Sequence, residues 1–408
     1  MYPQNIVVVN DFPYIEGGAS QVALTSAIGL SELGFPVYLF SAVDSNPHSL
    51  FFPVNLQIVN TGQHEILRDP KRIRAMFQGV WNRKAQLTFR SLLQNLNPED
   101  TIIHVHGWTK ALSSSVIRTA LKLGFKIVIT MHDYFLACPN GAFYNYPKRE
   151  ICDLNPLTVK CLLENCDSRH YYHKLWRVCR TLVQKNFGGL PDKIRYFIAV
   201  SDLNKAILSP YLPNKARIYR LDNPIDIQKL TPVSVKDNNT YVFVGRISKE
   251  KGPELFAQAA FEVGVKALFI GDGSLKGVIR SINPDAKITG WLSKEQVLEQ
   301  LRKCRALIFS SVLYENQPLV VLEAAALGLP SIVPDTSAAR ESVVDGITGL
   351  WFKGGDIVDL AQKINQLKND SITQSMGNAA YETFWNSPKN LESHLSGLVD
   401  IYSDILRE

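Results

Sequence analysis

Short apolar, β-branched runs alternate with longer stretches of helical periodicity along this chain, and that alternation limits its fold more than any other feature. Ile6 to Val9 is followed by a helix-like Ser20 to Leu33 and a second run at Val37 to Phe40, with Gly34 where a helix C-cap would stand. Further runs lie at Thr101 to Val105, Lys126 to Thr130 and Tyr196 to Val200. Strand and helix in alternation imply a parallel sheet. The rhythm restarts after LDNPID, residues 221–226, and the polar stretch Val233 to Thr240. Runs then recur at Tyr241 to Val244, Lys266 to Ile270, Ala286 to Ile288, Ala306 to Phe309 and Ser331 to Val333. A chain of 408 residues is too long for one ordinary core. The expected architecture is α/β, two Rossmann-like doubly wound domains over 1–220 and 221–384 with a linker near 220–238. They are expected to face a central cleft, because such sheets bind ligands beyond the carboxyl ends of their strands.

Composition narrows the functional classes. An apolar content of 46% and a charged content of 20% belong to a globular chain rather than a disordered one. Residues 1–220 hold 25 Lys and Arg against 15 Asp and Glu, a net of +10, whereas the remainder holds 19 against 23, a net of −4. The basic half points to an anionic partner. MYPQNIVVVNDF has no basic n-region and reads as a first strand rather than a signal peptide. No stretch approaches the roughly 18 apolar residues that a membrane span needs. A cytoplasmic protein, at most peripherally membrane-associated, is expected, with no nucleic-acid partner.

The most informative segment is YENQPLVVLEAAALGLP, residues 314–330. Pro318 suits a first helical turn and Gly328 a C-terminal cap, so the spacing predicts a short helix over Leu319 to Leu327. Glu323 then sits among Val, Leu and Ala, where a carboxylate without hydrogen-bond donors is costly. Vicinal ribose hydroxyls would supply two donors. Glu315 falls in the loop at the helix mouth, where unpaired N–H groups and the helix dipole favour phosphate. A surface helix with two solvated glutamates is the alternative, although LVVLEAAAL has no polar face.

Three further motifs follow strand ends. In VGRISKEKG, residues 244–252, Gly245 lets the backbone turn, and Arg246 and Lys251 could neutralise a diphosphate; a solvated loop fits the same pattern. In EGGAS, residues 16–20, Gly17 and Gly18 allow close backbone approach at a helix N-terminus, or form a plain tight turn. In TMHDYF, residues 130–135, His132 and Asp133 stand just past a strand. There is no GxGxxG and no Walker A sequence, which removes the best support for dehydrogenase and P-loop readings.

In this order the motifs resemble the retaining glycosyltransferases of family 4 with the GT-B fold, over nearly the whole chain from GGAS to ARESVVDGITGLWF, residues 339–352. The pair Glu315 and Glu323, spaced E-x7-E, is the most specific element. The resemblance implies that Glu323 holds the donor ribose. Glu315, with the backbone at Asn316, Gln317, Pro318 and Leu319, would hold the donor sugar. Arg246 and Lys251 would take the diphosphate, His132 would contact the sugar, and Gly17 and Gly18 would lie beside the phosphates and acceptor. GDGSL with Gly271 fits the same picture, and Trp291 and Leu292 in TGWLSKEQV would lie where the backbone reads the base. Gln317 and Pro318 stand where many relatives carry Phe-Gly, which bears on sugar specificity. About 385–408 is expected to cross back onto the first domain, as in relatives.

The implied activity is transfer of a hexose from a nucleotide diphosphate sugar, UDP-glucose or another UDP-hexose, with retention, to a lipid-linked or polysaccharide acceptor. No D-x-D pair occurs, so metal-independent transfer is expected, with no cofactor beyond the donor. A front-face route is favoured over Glu315 as covalent nucleophile. A non-catalytic nucleotide-sugar sensor or scaffold, or an epimerase or phosphorylase on the same fold, is the alternative. Cys138, Cys152, Cys161 and Cys166 lie near His132, His170 and His173, but only Cys161 and Cys166 approach zinc-ligand spacing, so reduced packed thiols compete with a zinc or disulfide. Residues 68–90 carry seven basic residues, with Ile73, Phe77, Val80, Trp81 and Leu87 spaced as one helical face; RHYYHKLWRVCR, residues 169–180, is a second such run. Both suit anionic lipid, or a core-facing helix with a solvated basic side.

Overall fold

A computed structural model describes residues 2–44 and 53–408. The chain divides into two compact units. One comprises Met1–Phe143, Asp153–Pro224 and Leu391–Glu408; the other comprises Tyr144–Cys152 and Ile225–Asn390. In chain order the first unit opens with β1 (Asn5–Val9), β2 (Val37–Val43), β3 (Leu56–Gln63), β4 (Thr101–Val105) and β5 (Lys126–Thr130). A short antiparallel hairpin, β6 (Tyr144–Asn145) and β7 (Glu150–Ile151), belongs to the second unit, where Arg149 lies 3.3 Å from Glu254. Then β8 (Tyr196–Ala199) and β9 (Arg217–Arg220) complete a seven-stranded sheet of order β3-β2-β1-β4-β5-β8-β9. Every neighbouring pair in it is parallel.

The second unit repeats the plan with β10 (Thr240–Val244), β11 (Lys266–Ile270), β12 (Lys287–Ile288), β13 (Ala306–Ile308), β14 (Ser331–Pro334) and β15 (Gly349–Phe352), all parallel, in the order β12-β11-β10-β13-β14-β15. Its strands are apolar on both faces because both faces are covered. Tyr241, Phe243, Phe269 and Ile308 pack in one core with Phe256, and Val242, Leu268, Ile270 and Leu307 pack in the other with Val321 and Leu327. The expected linker is not loose in its second half. Val233 and Val235 are buried in this unit's core.

Strand order reverses direction at β1/β4 in the first sheet and at β10/β13 in the second, and ligands of such sheets bind at these switch points. The chain therefore delivers its post-strand residues there: Asn10 and Asp11 after β1, His106 after β4, Gly245 after β10 and Ser310 after β13.

The segment 68–90 departs from the single helical face expected of it. It forms two helices, Arg72–Val80 and Arg83–Leu93, broken by an extended Trp81 and an Asn82 whose side chain accepts the Ala85 N–H and caps the second helix. Ile73 and Phe77 stay exposed, whereas Val80 and Trp81 are half-buried.

The terminal helix Leu391–Arg407 is part of the first unit. Leu395, Leu398, Ile401, Tyr402 and Ile405 join the core formed by β1, β2 and the helix Gly18–Glu32. Gly29 permits this contact, since a Cβ there would stand 2.6 Å from Leu395 Cδ1. Two buried histidines hold the seam by hydrogen bonding. His104 Nδ1 meets the Tyr402 hydroxyl at 2.6 Å and its Nε2 meets Thr130 Oγ1 at 2.7 Å. His394 Nε2 meets Ser26 Oγ at 3.0 Å, and its Nδ1 donates to the Asp222 carbonyl at 2.8 Å.

Two predictions follow from this seam. Replacing Tyr402 by Phe leaves a buried His104 nitrogen without a partner and should lower unfolding free energy by about 1–3 kcal/mol in urea titration. Burial also lowers the pKa of His104 well below the usual 6.5 and that of His394 to about 4, so both fold uncharged. Their contribution is complete above pH 6.5 and is lost as pH falls below it, by about 1.4 kcal/mol per pH unit for each histidine. The urea midpoint should fall between pH 7 and pH 5, and His394→Gln should flatten that slope whatever its stability at pH 7. An unchanged slope in the variant would place the acid sensitivity elsewhere.

Candidate functional site

At the second unit's switch point the loops are zipped together by backbone contacts that only glycine allows. Gly245 ends β10 with φ 151° and donates its N–H to Ile270 O at 3.0 Å. Gly271, with φ 142°, approaches so closely that a Cβ would lie 2.0 Å from Gly245 O. Its N–H bonds Gly290 O at 2.9 Å, which joins the Trp291–Leu292 turn to the same place. Trp291 is exposed, and Leu292 packs on the core.

On the other side, Gly252 has φ 60°, and a Cβ there would lie 2.3 Å from Ser310 O. Ser310 Oγ donates to Gly252 O at 2.8 Å, and the Val312 N–H to Glu250 O at 3.1 Å. This clamp sets Lys251 Nζ 2.5 Å from Glu315 Oε1, which also accepts from Ser311 Oγ at 2.6 Å. Both partners are largely buried, with Lys251 21% and Glu315 17% exposed. Burial raises the Glu315 pKa, but Lys251, Ser311 and Arg246 outweigh it and hold the carboxyl below its ordinary range. Arg246 stands outward, 64% exposed and 3.7 Å from Glu250.

The helix Leu319–Leu327 begins where its sequence suggests. Pro318 occupies the N-cap rather than the first turn, no side chain caps that end, and Gly328 closes the other with φ 75°. Asn316 and Gln317 lie in the preceding loop. Val321, Ala324 and Leu327 face one core, and Leu322 and Ala326 another. Between them stands Glu323, partly buried, with no hydrogen bond or ion pair among the described residues. Burial raises its pKa, and the field of Lys294 offsets this only in part.

The first unit presents a second cluster. Gly17, with φ 127°, caps the helix Gly18–Glu32, and a Cβ on Gly17 or Gly18 would meet nothing within 4 Å. Asp11 is buried, and its carboxylate accepts the N–H groups of Lys110, Ala111 and Leu112 at 3.0, 2.8 and 2.8 Å. His132 Nε2 lies 2.9 Å from His106 Nδ1, and the two rings stack. Burial, then the field of His394, lowers the His132 pKa to about 3, so its ring is neutral. Burial pushes Asp133 up to about 6 against the Phe135 N–H and the Arg180 and Lys110 cations. His106 buries an Nε2 that has no partner among the described residues.

The structure thus brings Gly245, Arg246, Lys251, Gly271, Glu315 and the turn at Gly290 to one switch point, and places His132, Gly17 and Gly18 in the other unit. Sequence reasoning missed Ser311, Gly252, Asp11 and His106. The last two follow apolar runs directly, in VVVND and IIHVHG, which is the signal that singled out His132. Among the described residues no disulfide links cysteines, and no group of three or more His, Cys, Asp and Glu is arranged to hold a metal. Cys138 and Cys166 pack about Asn140, with Cys138 Sγ 3.1 Å from Asn140 Oδ1, and burial pushes the Cys138 thiol up to about 11.

Residues 16–229 match the Glycosyltransferase Family 4 sequence model, and residues 226–383 match that of Glycosyl transferases group 1. A GDP-mannose-dependent alpha-mannosyltransferase of Corynebacterium glutamicum is 26% identical over 168 residues, 40% of this chain and 39% of that protein. N-acetyl-alpha-D-glucosaminyl L-malate synthase of Bacillus anthracis is 28% identical over 314 residues, 65% of this chain and 82% of its own length. The fold is shared with sucrose-phosphate synthase of Thermosynechococcus elongatus, at TM-score 0.74 and 15% identity over 99% of both chains. It is also shared with Anabaena HepE solved with UDP-glucose, at TM-score 0.67 and 14% identity over 98% of this chain and 99% of that one. Two parallel doubly wound sheets of the GT-B type, together with these family matches, establish that the chain belongs to the group 1, family 4 glycosyltransferases.

Proposed function

We propose that this chain transfers a hexosyl group from a nucleoside diphosphate sugar, UDP-glucose or another UDP-hexose, with retention, to a lipid-linked or polysaccharide acceptor. The observation that carries the reading is Glu323, a partly buried carboxylate on an apolar helix that has no partner among the described residues while burial raises its pKa. Vicinal hydroxyls of a ribose would satisfy it. At the mouth of the same helix, the uncapped N–H groups and the cations Arg246 and Lys251 can offset the charge of a departing diphosphate without a metal ion.

Lys251 has a second task in this scheme. Its bond to Glu315 keeps that carboxylate ionised and aimed, ready to accept hydroxyls of the transferred sugar. Burial holds the His132 ring of the other unit neutral at working pH. The leaving phosphate oxygen takes the proton of the acceptor hydroxyl on the face it departs from, which preserves configuration. The UDP preference draws on HepE alone among the relatives described, and the mannosyltransferase named for GDP-mannose marks the competing base.

A panel of UDP and GDP sugars should raise the melting temperature only with the true donor, since ligands of the folded state alone stabilise it. Stabilisation by GDP-mannose and not by UDP-hexoses would reverse the assigned base. With the donor identified, Lys251→Ala should lower kcat by about 10²–10³-fold. Chelation by EDTA should leave the wild-type rate intact. Wild-type turnover in the Lys251 variant would remove this lysine from the chemistry.

A further inference from the structure

We infer that His106 is a positioning residue: it fixes the tautomer of His132, so that His132 carries an uncharged Nδ1–H and selects a substrate oxygen. Sheet pairing brings the two rings together. Val105 at the end of β4 lies beside Ile129 of β5, so His106, just past β4, meets His132, just past β5. His106 Nδ1 lies 2.9 Å from His132 Nε2. The His104 ring packs against His106 as well, with centroids 4.0 Å apart, and His106 is only 3% exposed.

A hydrogen bond between two neutral imidazoles holds one proton, and either ring can supply it. If His132 Nε2 supplies it, His106 must carry its own proton on Nε2. That nitrogen is buried and has no partner among the described residues, so its N–H would be an orphan donor. If His106 Nδ1 supplies it, His106 Nε2 is a bare lone pair, and the remaining proton sits on His132 Nδ1. A buried N–H without an acceptor is the rarer failure in folded proteins, and it forfeits the full desolvation cost of the group. The second arrangement therefore holds. A charged ring at 106 is worse still, because it would bury a cationic N–H with nothing to accept it. Burial, then the fields of His104, His132 and His394, lowers the His106 pKa well below its ordinary value, in agreement. His104 imposes no such choice, since its partners are the hydroxyls of Tyr402 and Thr130, which can turn to donate or to accept.

His132 is thereby a donor at Nδ1 and not an acceptor. The group it suits is a hydroxyl or ether oxygen, whose lone pair takes the N–H. An ammonium nitrogen has no lone pair and is refused. This selectivity rests on the reading that His132 touches substrate, whereas the tautomer stands on the protein alone.

Two-bond proton–nitrogen correlation spectra of the full chain, labelled with nitrogen-15 histidine, test it without any ligand. The His132 signals are identified by their loss in His132→Gln. The wild type should show His132 with a bare Nε2 and a protonated Nδ1. His106→Phe keeps a ring in place but cannot donate, and should lose that signature. His106→Asn sets an amide N–H close to where Nδ1 stood, and should retain it. A protonated Nε2 on His132 in the wild type, or an unchanged signature in His106→Phe, would overturn the inference; the wild-type spectrum decides even if the Phe variant fails to fold. In transfer assays His106→Phe should lower kcat/KM about tenfold and His106→Asn should recover most of the loss. A full rate in a Phe variant that has lost the signature would remove His132 from substrate contact and leave the tautomer assignment standing.

Discussion

Close approach of backbone to backbone at the switch point of the second sheet is the constraint on which the candidate site depends. Gly271 lies against the Gly245 carbonyl, and Gly252 against that of Ser310. Neither contact admits a Cβ, and each glycine has a φ that L side chains rarely adopt. These contacts fix the loops after β10, β11 and β13 relative to one another, and the ionic pair Lys251–Glu315 is their product. Two long, flexible side chains are thereby held in one geometry by main chain, so the entropy that usually weakens such a pair is already spent in forming the fold.

The two units handle buried ionisable groups differently, and each treatment suits a distinct role. In the second unit a carboxylate is kept charged by an adjacent lysine, while another one turn into an apolar helix has no partner among the described residues. In the first unit the neutral rings of His104, His106 and His132 lie side by side at the ends of β4 and β5, with His104 bonded to Tyr402 and Thr130 and His106 bonded to His132. Burial keeps these imidazoles uncharged, so they supply hydrogen bonds and ring surface rather than positive charge.

Much of this was legible in the sequence because it is written locally. Helix Leu319–Leu327 begins after its proline and ends at its glycine, and β10 and β11 follow their apolar runs. The ties that make a site are non-local. Lys251 and Glu315 are 64 positions apart and meet only because β10 pairs with β13, a choice of strand order that periodicity does not encode. The break at Trp81 was readable, since Asn82 is a good N-cap, but apolar spacing alone carried the eye through it. The role of Ser311 depends on a hydroxyl whose neighbours are set by tertiary structure, and nothing in its local pattern distinguishes it.

The central claim is that Glu323 is reserved for the hydroxyls of a nucleotide ribose. Calorimetric titration of the wild type and Glu323→Gln with UDP and with the analogue lacking both ribose hydroxyls tests it as a double-mutant cycle. The wild type should bind UDP at least about tenfold more tightly than the analogue, and the variant should lose most of this discrimination. Equal binding of the two nucleotides by the wild type, or full discrimination retained in the variant, would contradict it.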